Sequence, residues 1–263
     1  RLRSGESYDA RLDLGGWSNS SYDDSEWIKA EKTLPPGGLL EEQTMPPCRV
    51  METLPAQSIQ ELPGCHVYDF VENIAGWCRL RIKGRRGAKI TLRYSERIFE
   101  DGQVDQGHIG IFTCSERIQT DCYILSGNGI EEWAPSFNYH GFRYCQVCIE
   151  GEAELLSLDA EVVYTSFGSL GTIKTSEPIL DHLQRCFRRS YVGNFVGIPT
   201  DCPHREKCGW SADAMLAAEA GLFNFDAAEA YSQWLANFPD IQRPNGQIHG
   251  VVPYSDGLLA WES

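Results

Sequence analysis

The sequence predicts two blocks, an antiparallel β-sandwich followed by a helical segment. Three observations carry this expectation. Polar and apolar residues alternate with a period of two through the middle of the chain, turn-forming clusters punctuate that alternation, and the spacing becomes helical after Thr165. At 263 residues there is room for one large or two ordinary domains. A hydrophobic fraction of 42% with 11% aromatics belongs to a globular chain rather than a disordered one.

Residues 1–45 hold short aromatic stretches between turn clusters, as in Gly15-Gly16-Trp17, Tyr22-Asp23-Asp24-Ser25-Glu26-Trp27 and Pro35-Pro36-Gly37-Gly38. They are expected to form the end of a small β domain. The Asp23-Asp24 pair reads as a solvated turn in preference to a calcium site. From 46 to 165, Arg79–Lys83 and Lys89–Tyr94 alternate as half-buried strands, with Gly84 and Gly87 setting the turn between them. Further strands are expected at His66–Val71, Asp121–Leu125, Arg143–Ile149 and Ala160–Tyr164, the set fitting a sandwich. Glu100–Gly110 reads as a long polar loop.

The helical block, 166–263, opens with Ser176 as N-cap and Pro178 in the first turn. Ile179, Leu180, Leu183, Phe187 and Tyr191 then share one face. Ser211–Ala220 reads as helix, and an Asp226–Glu229 capping box introduces another over Ala227–Phe238. A sheet-rich block followed by a helical one implies separate domains.

A net charge of −14 argues against nucleic acid or an anionic membrane as partner, because both demand a positive surface. There is no apolar run long enough to cross a bilayer and no signal peptide at the start. The ends read as cuts in a longer protein. Several of the ten cysteines lie in apolar runs, and Cys145 and Cys148 point to opposite faces of a strand. Reduced, structural cysteines and a cytoplasmic location are therefore expected.

The chemistry concentrates in Thr200–Asp213, TDCPHREKCGWSAD. Pro199 and Pro203 keep its start out of helix, so Asp201, His204, Glu206, Trp210 and Asp213 sit on a loop and the first turn of the helix after it. Carboxylates that accept from vicinal hydroxyls, beside an aromatic face, are what a sugar site requires. An inverting glycosidase uses two carboxyl groups about 6.5–9.5 Å apart, one protonated at the leaving oxygen and one activating water. Like-charge neighbours favour a protonated acid and cations oppose it; the loop contains both. Each residue also has a plainer reading. Asp201 would serve as a cap or turn residue, Asp213 as a first-turn acid on the helix dipole, Trp210 as core and Glu206 as half of a surface salt bridge. Cys202, His204 and Cys208 would supply only three zinc ligands on an irregular spacing, and a Cys–His nucleophile pair lacks an orienting third group.

The loop resembles the signature of the bacterial α-L-rhamnosidases, glycoside hydrolase family 78. The likeness continues through AGLFNFD, the W-L-x-x-F segment ending at Phe238, QRPNGQIHGVVP and AWES. In the β block it extends to PPCRVMETL, VYDFVENIAGWCRLRIKG and FNYHGFRY. It implies a β-sandwich (46–165) after the end of an N-terminal β domain (1–45), then the first helices of an (α/α)6 barrel (166–263). Hydrolysis of terminal α-L-rhamnose by inversion is implied, with Glu206 as general acid and Asp201 and Asp213 gripping sugar hydroxyls. Trp210 would form a wall of the pocket and Arg205 would give electrostatic or structural support. His204 stands where the family commonly has Gln. The general base is expected beyond Ser263, so the chain holds the acid half of a site. An α-L-rhamnoside glycoside or oligosaccharide is the expected partner, with self-association through unpaired helix faces. No cofactor and no metal are expected. Two other readings remain, a non-catalytic carbohydrate-binding fragment and a structural fragment needing a partner chain.

Overall fold

A computed structural model describes residues 3–35, 37–110 and 117–253. The AWES motif and Cys114 lie outside them. The alternating segments form strands β1 (Ser7–Asp9), β2 (Cys48–Pro55), β3 (Ser58–Leu62), β4 (Cys65–Gly84), β5 (Lys89–Ser95), β6 (Thr120–Ile124), β7 (Ile130–Trp133), β8 (His140–Glu150) and β9 (Ala153–Thr165). They hydrogen-bond in the order β1-β6-β5-β8-β4-β9-β2, with β3 and β7 also pairing with β4. Every pairing is antiparallel except β1 with β6.

The expected antiparallel sandwich takes the form of one curled, mixed sheet, because β4 is shared by both halves. Its first half pairs with β3 and β8, and its second half with β7, β9 and the start of β8. Between them the register with β8 shifts, and Val71 takes a left-handed φ of 68°. That conformation is costly for a β-branched residue. Asp69 holds it by accepting from Val71 N at 2.7 Å while Arg143 pairs with both its oxygens at 2.8 Å. The curl encloses Leu80, Ile82, Ile90, Leu92, Tyr94 and Phe142, all essentially inaccessible to solvent.

Cys65 and Cys148 are direct partners across β4 and β8, Cα atoms 4.3 Å apart, and form a disulfide. This corrects the expectation of a wholly reduced set. Two residues 83 positions apart in sequence become cross-strand neighbours only through the sheet's pairing. Among residues 3–45 the sole strand of the described residues, β1, joins the main sheet. The polar loop after β5 carries a short helix, α1 (Gly107–Gly110).

The helical block consists of α2 (Pro178–Gly193), α3 (Ser211–Asn224), α4 (Ala228–Leu235) and α5 (Asn237–Ile241), with a small hairpin of β10 (Phe195–Val196) and β11 (Ile198–Pro199) after α2. The N-cap of α2 is Glu177 rather than Ser176. Thr175 Oγ1 accepts from Glu177 N at 3.1 Å and Asp181 accepts from Thr175 N at 2.8 Å, which moves the helix start on by one residue. The helix expected over Ala227–Phe238 divides into α4 and α5, and Ala227 caps α4 without a side-chain bond. Pro239 has no N–H to give to the Leu235 carbonyl, so the helical ladder cannot run on. A second core joins Phe167, Tyr191, Phe195, Phe225, Tyr231 and Trp234. Ile179, Leu180 and Leu183 of α2 and Met215, Leu216 and Phe223 of α3 are exposed. No helix among the described residues is long and apolar enough to cross a membrane.

Candidate active site

The Thr200–Asp213 loop leaves β11 and enters α3. Asp201 closes it at the base: Asp201 N donates to Cys208 O at 3.1 Å, and Cys208 N donates to Asp201 Oδ1 at 3.0 Å. The Cys202 thiol donates to Asp201 Oδ2 at 2.8 Å and accepts from Glu206 N at 3.3 Å. Both thiols of the loop are thus occupied, since Cys208 Sγ donates to Glu206 O at 3.1 Å. Cys202, His204 and Cys208 do not converge as metal ligands; His204 Nδ1 instead lies 3.5 Å from Glu96 Oε1.

The loop packs tightly on the sheet and on the segment after α5. A side chain at Gly141 of β8 would come within 2.8 Å of both His204 N and Pro203 Cγ, and one at Gly209 within 2.0 Å of Val252 O. Only glycine permits those approaches. Gly209 O accepts from Val252 N and Gly250 O accepts from Ser211 N, each at 2.8 Å, with Trp210 bridged to Val251. The GW and HGVV motifs are thereby joined at one loop.

Trp210 is the N-cap of α3, and its indole Nε1 donates to Glu206 Oε2 at 3.1 Å. Arg205 Nε lies 3.8 Å from Glu206 Oε1. The Glu206 carboxylate is thereby held between an indole and a guanidinium, partly open to solvent. Burial pushes the Asp201 carboxyl above its ordinary range, offset in part by the Cys202 thiol and Cys208 N–H, with the Glu206 charge adding to the rise. Asp201 and Asp213 both line a cavity of about 190 Å³ together with Ser190, Asn194, Thr200 and Tyr231. Glu206, Trp210 and Arg205 are not among its lining residues. A larger cavity, about 830 Å³, runs between α2 and the sheet and contains none of the sequence-predicted residues; the carboxylate chemistry favours the smaller one.

Two supports are invisible in the sequence motif. Lys207, at a left-handed φ of 52°, turns inward and donates to Tyr139 O, with Nζ 4.4 Å from the Tyr139 ring centre. Burial lowers its ammonium to about 7, so roughly half of its charge remains near neutrality. Arg3 reaches across from the first residues: its Nε donates to both Arg205 O and Glu206 O at 3.1 Å, and its Nη2 to Glu206 O at 2.9 Å. No spacing rule would find Arg3. Lys207 is legible in the sequence only as one of the loop's cations, not as a buried one.

Three family models follow one another along the chain. An alpha-L-rhamnosidase N-terminal domain matches residues 2–52, a bacterial alpha-L-rhamnosidase concanavalin-like domain 59–164, and a bacterial alpha-L-rhamnosidase 6 hairpin glycosidase domain 168–263. The chain belongs to the bacterial α-L-rhamnosidase family. Among its relatives, an alpha-L-rhamnosidase of Formosa agariphila is 33% identical over 88% of the chain, and one of Streptomyces avermitilis 32% over 99%. The solved α-L-rhamnosidase of Dictyoglumus thermophilum superposes with a TM-score of 0.89 at 35% identity over 96% of the chain. The Streptomyces avermitilis enzyme, solved with L-rhamnose, gives 0.87 at 32% over 98%. The chain spans 24% and 26% of the two relatives' lengths and 28% and 25% of the two solved chains.

Proposed function

We propose that this chain is the part of an inverting α-L-rhamnosidase that carries the general acid. The observation that supports this best is the Glu206 carboxylate, fixed by the Trp210 indole on the loop whose Asp201, with Asp213 of α3, lines a cavity. In this reading Glu206 gives its proton to the glycosidic oxygen as the bond to the anomeric carbon breaks. Asp201 and Asp213 accept hydrogen bonds from the rhamnose hydroxyls, Trp210 both orients the acid and walls the sugar, and Arg205 supports the carboxylate. Water attacks from the opposite face, activated by a base that we assign to no residue of this chain.

The domain division follows the same reading. Residues 1–45 end an N-terminal β domain, 46–165 form the sandwich domain, and 166–263 supply the first helices of an (α/α)6 barrel. The exposed apolar residues of α2 and α3 fit elements that await the rest of such a barrel.

The test is hydrolysis of p-nitrophenyl α-L-rhamnoside by the full-length parent, with the product anomer followed by NMR. Inversion delivers the β-anomer first. Release of the α-anomer first would remove the inverting mechanism, and a silent parent would remove the enzyme reading. Rhamnose binding by calorimetry that survives Glu206→Gln and fails in Asp201→Asn supports a sugar grip separable from the acid.

A further inference from the structure

Where the polar loop after β5 meets the signature loop, Glu96, His108 and His204 each place one ligand atom within 4.8 Å of the other two. We propose that these three residues form a binding site for a divalent transition metal of the zinc class, pinning the sheet to the loop that carries Glu206.

The donor set selects the ion. Two imidazoles and one carboxylate make a mixed nitrogen and oxygen set that suits zinc, whereas calcium and magnesium prefer oxygen throughout. Three protein ligands leave the fourth tetrahedral position to water. Zinc bonds of about 2.0–2.2 Å place neighbouring ligand atoms about 3.4 Å apart, so side-chain adjustments of about 1 Å close the site. The His204 Nδ1 to Glu96 Oε1 separation of 3.5 Å already meets that spacing, and the two imidazole centres lie 6.2 Å apart.

An independent observation points the same way. Both ring nitrogens of His108 and the Nδ1 of His204 are buried without a hydrogen-bond partner among the described residues. Buried polar atoms ordinarily find partners, and a metal ion satisfies imidazole nitrogens that nothing else does. Groups that would orient the ligands are in place. Asn73 Nδ2 donates to Glu96 Oε1 at 2.7 Å, and Asp105 Oδ2 lies 3.8 Å from His108 Nδ1, where a small side-chain adjustment lets it accept from Nδ1–H and leaves Nε2 to the ion. The Arg205 and Lys207 charges near His204 act against a cation; Glu96 and Asp105 act for it. The site lies outside the proposed sugar grip and joins residues 108 positions apart or fewer, from two segments with no motif in common.

Zinc titrated calorimetrically into chelator-stripped protein tests the proposal, with the visible absorption of a cobalt(II) derivative reporting four-coordination. One ion per chain is expected. His108→Gln and Glu96→Gln should each weaken binding by roughly 100-fold or more, and Asn73→Ala by about 10–100-fold, while Cys202→Ser and Cys208→Ser retain it. Glu96→Gln is nearly isosteric and keeps an acceptor for Asn73, and its metal-free circular dichroism and melting separate a lost ligand from a lost fold. Absence of saturable zinc binding by the unaltered protein overturns the site. So does zinc binding that persists in both His108→Gln and Glu96→Gln, or that depends on the thiols instead.

Discussion

Arg3 and Glu206 are 203 positions apart, yet the Arg3 guanidinium grips the Glu206 main-chain carbonyl through both Nε and Nη2. Hydrogen bonds from a charged donor contribute about 1.5–3 kcal/mol each when well formed. Arg3→Ala should therefore destabilise the protein by about 1–3 kcal/mol in urea unfolding. In the parent protein it should also lower kcat more than it changes KM, because it holds the backbone of the proposed acid and not the sugar. An unchanged melt and an unchanged kcat would show that the clamp is idle.

Glu206→Gln in the parent should reduce kcat by about 10²–10⁴-fold with KM within a few-fold, as protonation of the leaving group occurs only in the transition state. Steady-state kinetics on p-nitrophenyl α-L-rhamnoside read this directly, and a kcat within threefold of the original would refute the assignment. Trp210→Phe keeps a ring but loses the 3.1 Å indole bond to Glu206 Oε2. A fall of about tenfold in kcat is expected, the equivalent of roughly 1.4 kcal/mol.

Lys207 gives a signature at alkaline pH. Its folded value of about 7 lies below the ordinary 10.5, so between those values the unfolded chain binds more protons than the folded one. Stability from this group rises with pH across that window, by up to about 1.4 kcal/mol per unit, and is at its lowest below pH 7. Lys207→Met should flatten this rise in unfolding curves taken from pH 7 to 10. A slope identical to that of the unaltered protein would mean that the lysine is not buried as described.

The buried pair beneath the loop acts at the acid end. His140 Nε2 meets Asp121 Oδ2 at 2.9 Å with both side chains inaccessible, and the imidazole stacks on Tyr94 at 4.2 Å. Burial holds His140 below its ordinary value, and the His140 partner and the Glu6 N–H hold Asp121 below its own despite burial. Both shifts make the unfolded chain the stronger proton binder on acidification, so stability falls as pH drops below about 6.5. Asp121→Ala should cost about 1–3 kcal/mol at neutral pH, because it leaves the buried His140 and the Glu6 N–H without their acceptor; a loss under about 0.5 kcal/mol would sink this account.

Gly141→Ala tests how closely the loop is docked. An added Cβ 2.8 Å from His204 N meets backbone, which cannot swing away. Overpacking of this kind costs about 1–3 kcal/mol, and differential scanning calorimetry should show a lowered Tm. No change would place the loop farther from β8.

Much of the architecture is written locally. The alternation in Arg79–Lys83 and Lys89–Tyr94, the glycine turn between them and the helical spacing after Pro178 each depend on residues a few positions apart, and each became the expected element. Asp201, Glu206, Trp210 and Asp213 were legible as a group for the same reason: thirteen positions of one loop and one helix turn contain them all. The family likeness rests on such contiguous motifs.

What the chain's three-dimensional path decided was which distant residues meet. The bend in β4 at Val71 turns the expected layers into one curled sheet, and the β4–β8 register makes Cys65 and Cys148 a disulfide. The same packing delivers Arg3 to Glu206, buries Lys207 against Tyr139 and sets His108 beside His204. Periodicity along a chain reports which face of an element is apolar. It holds no information about which other element will cover that face, because that choice depends on the summed packing of the whole molecule.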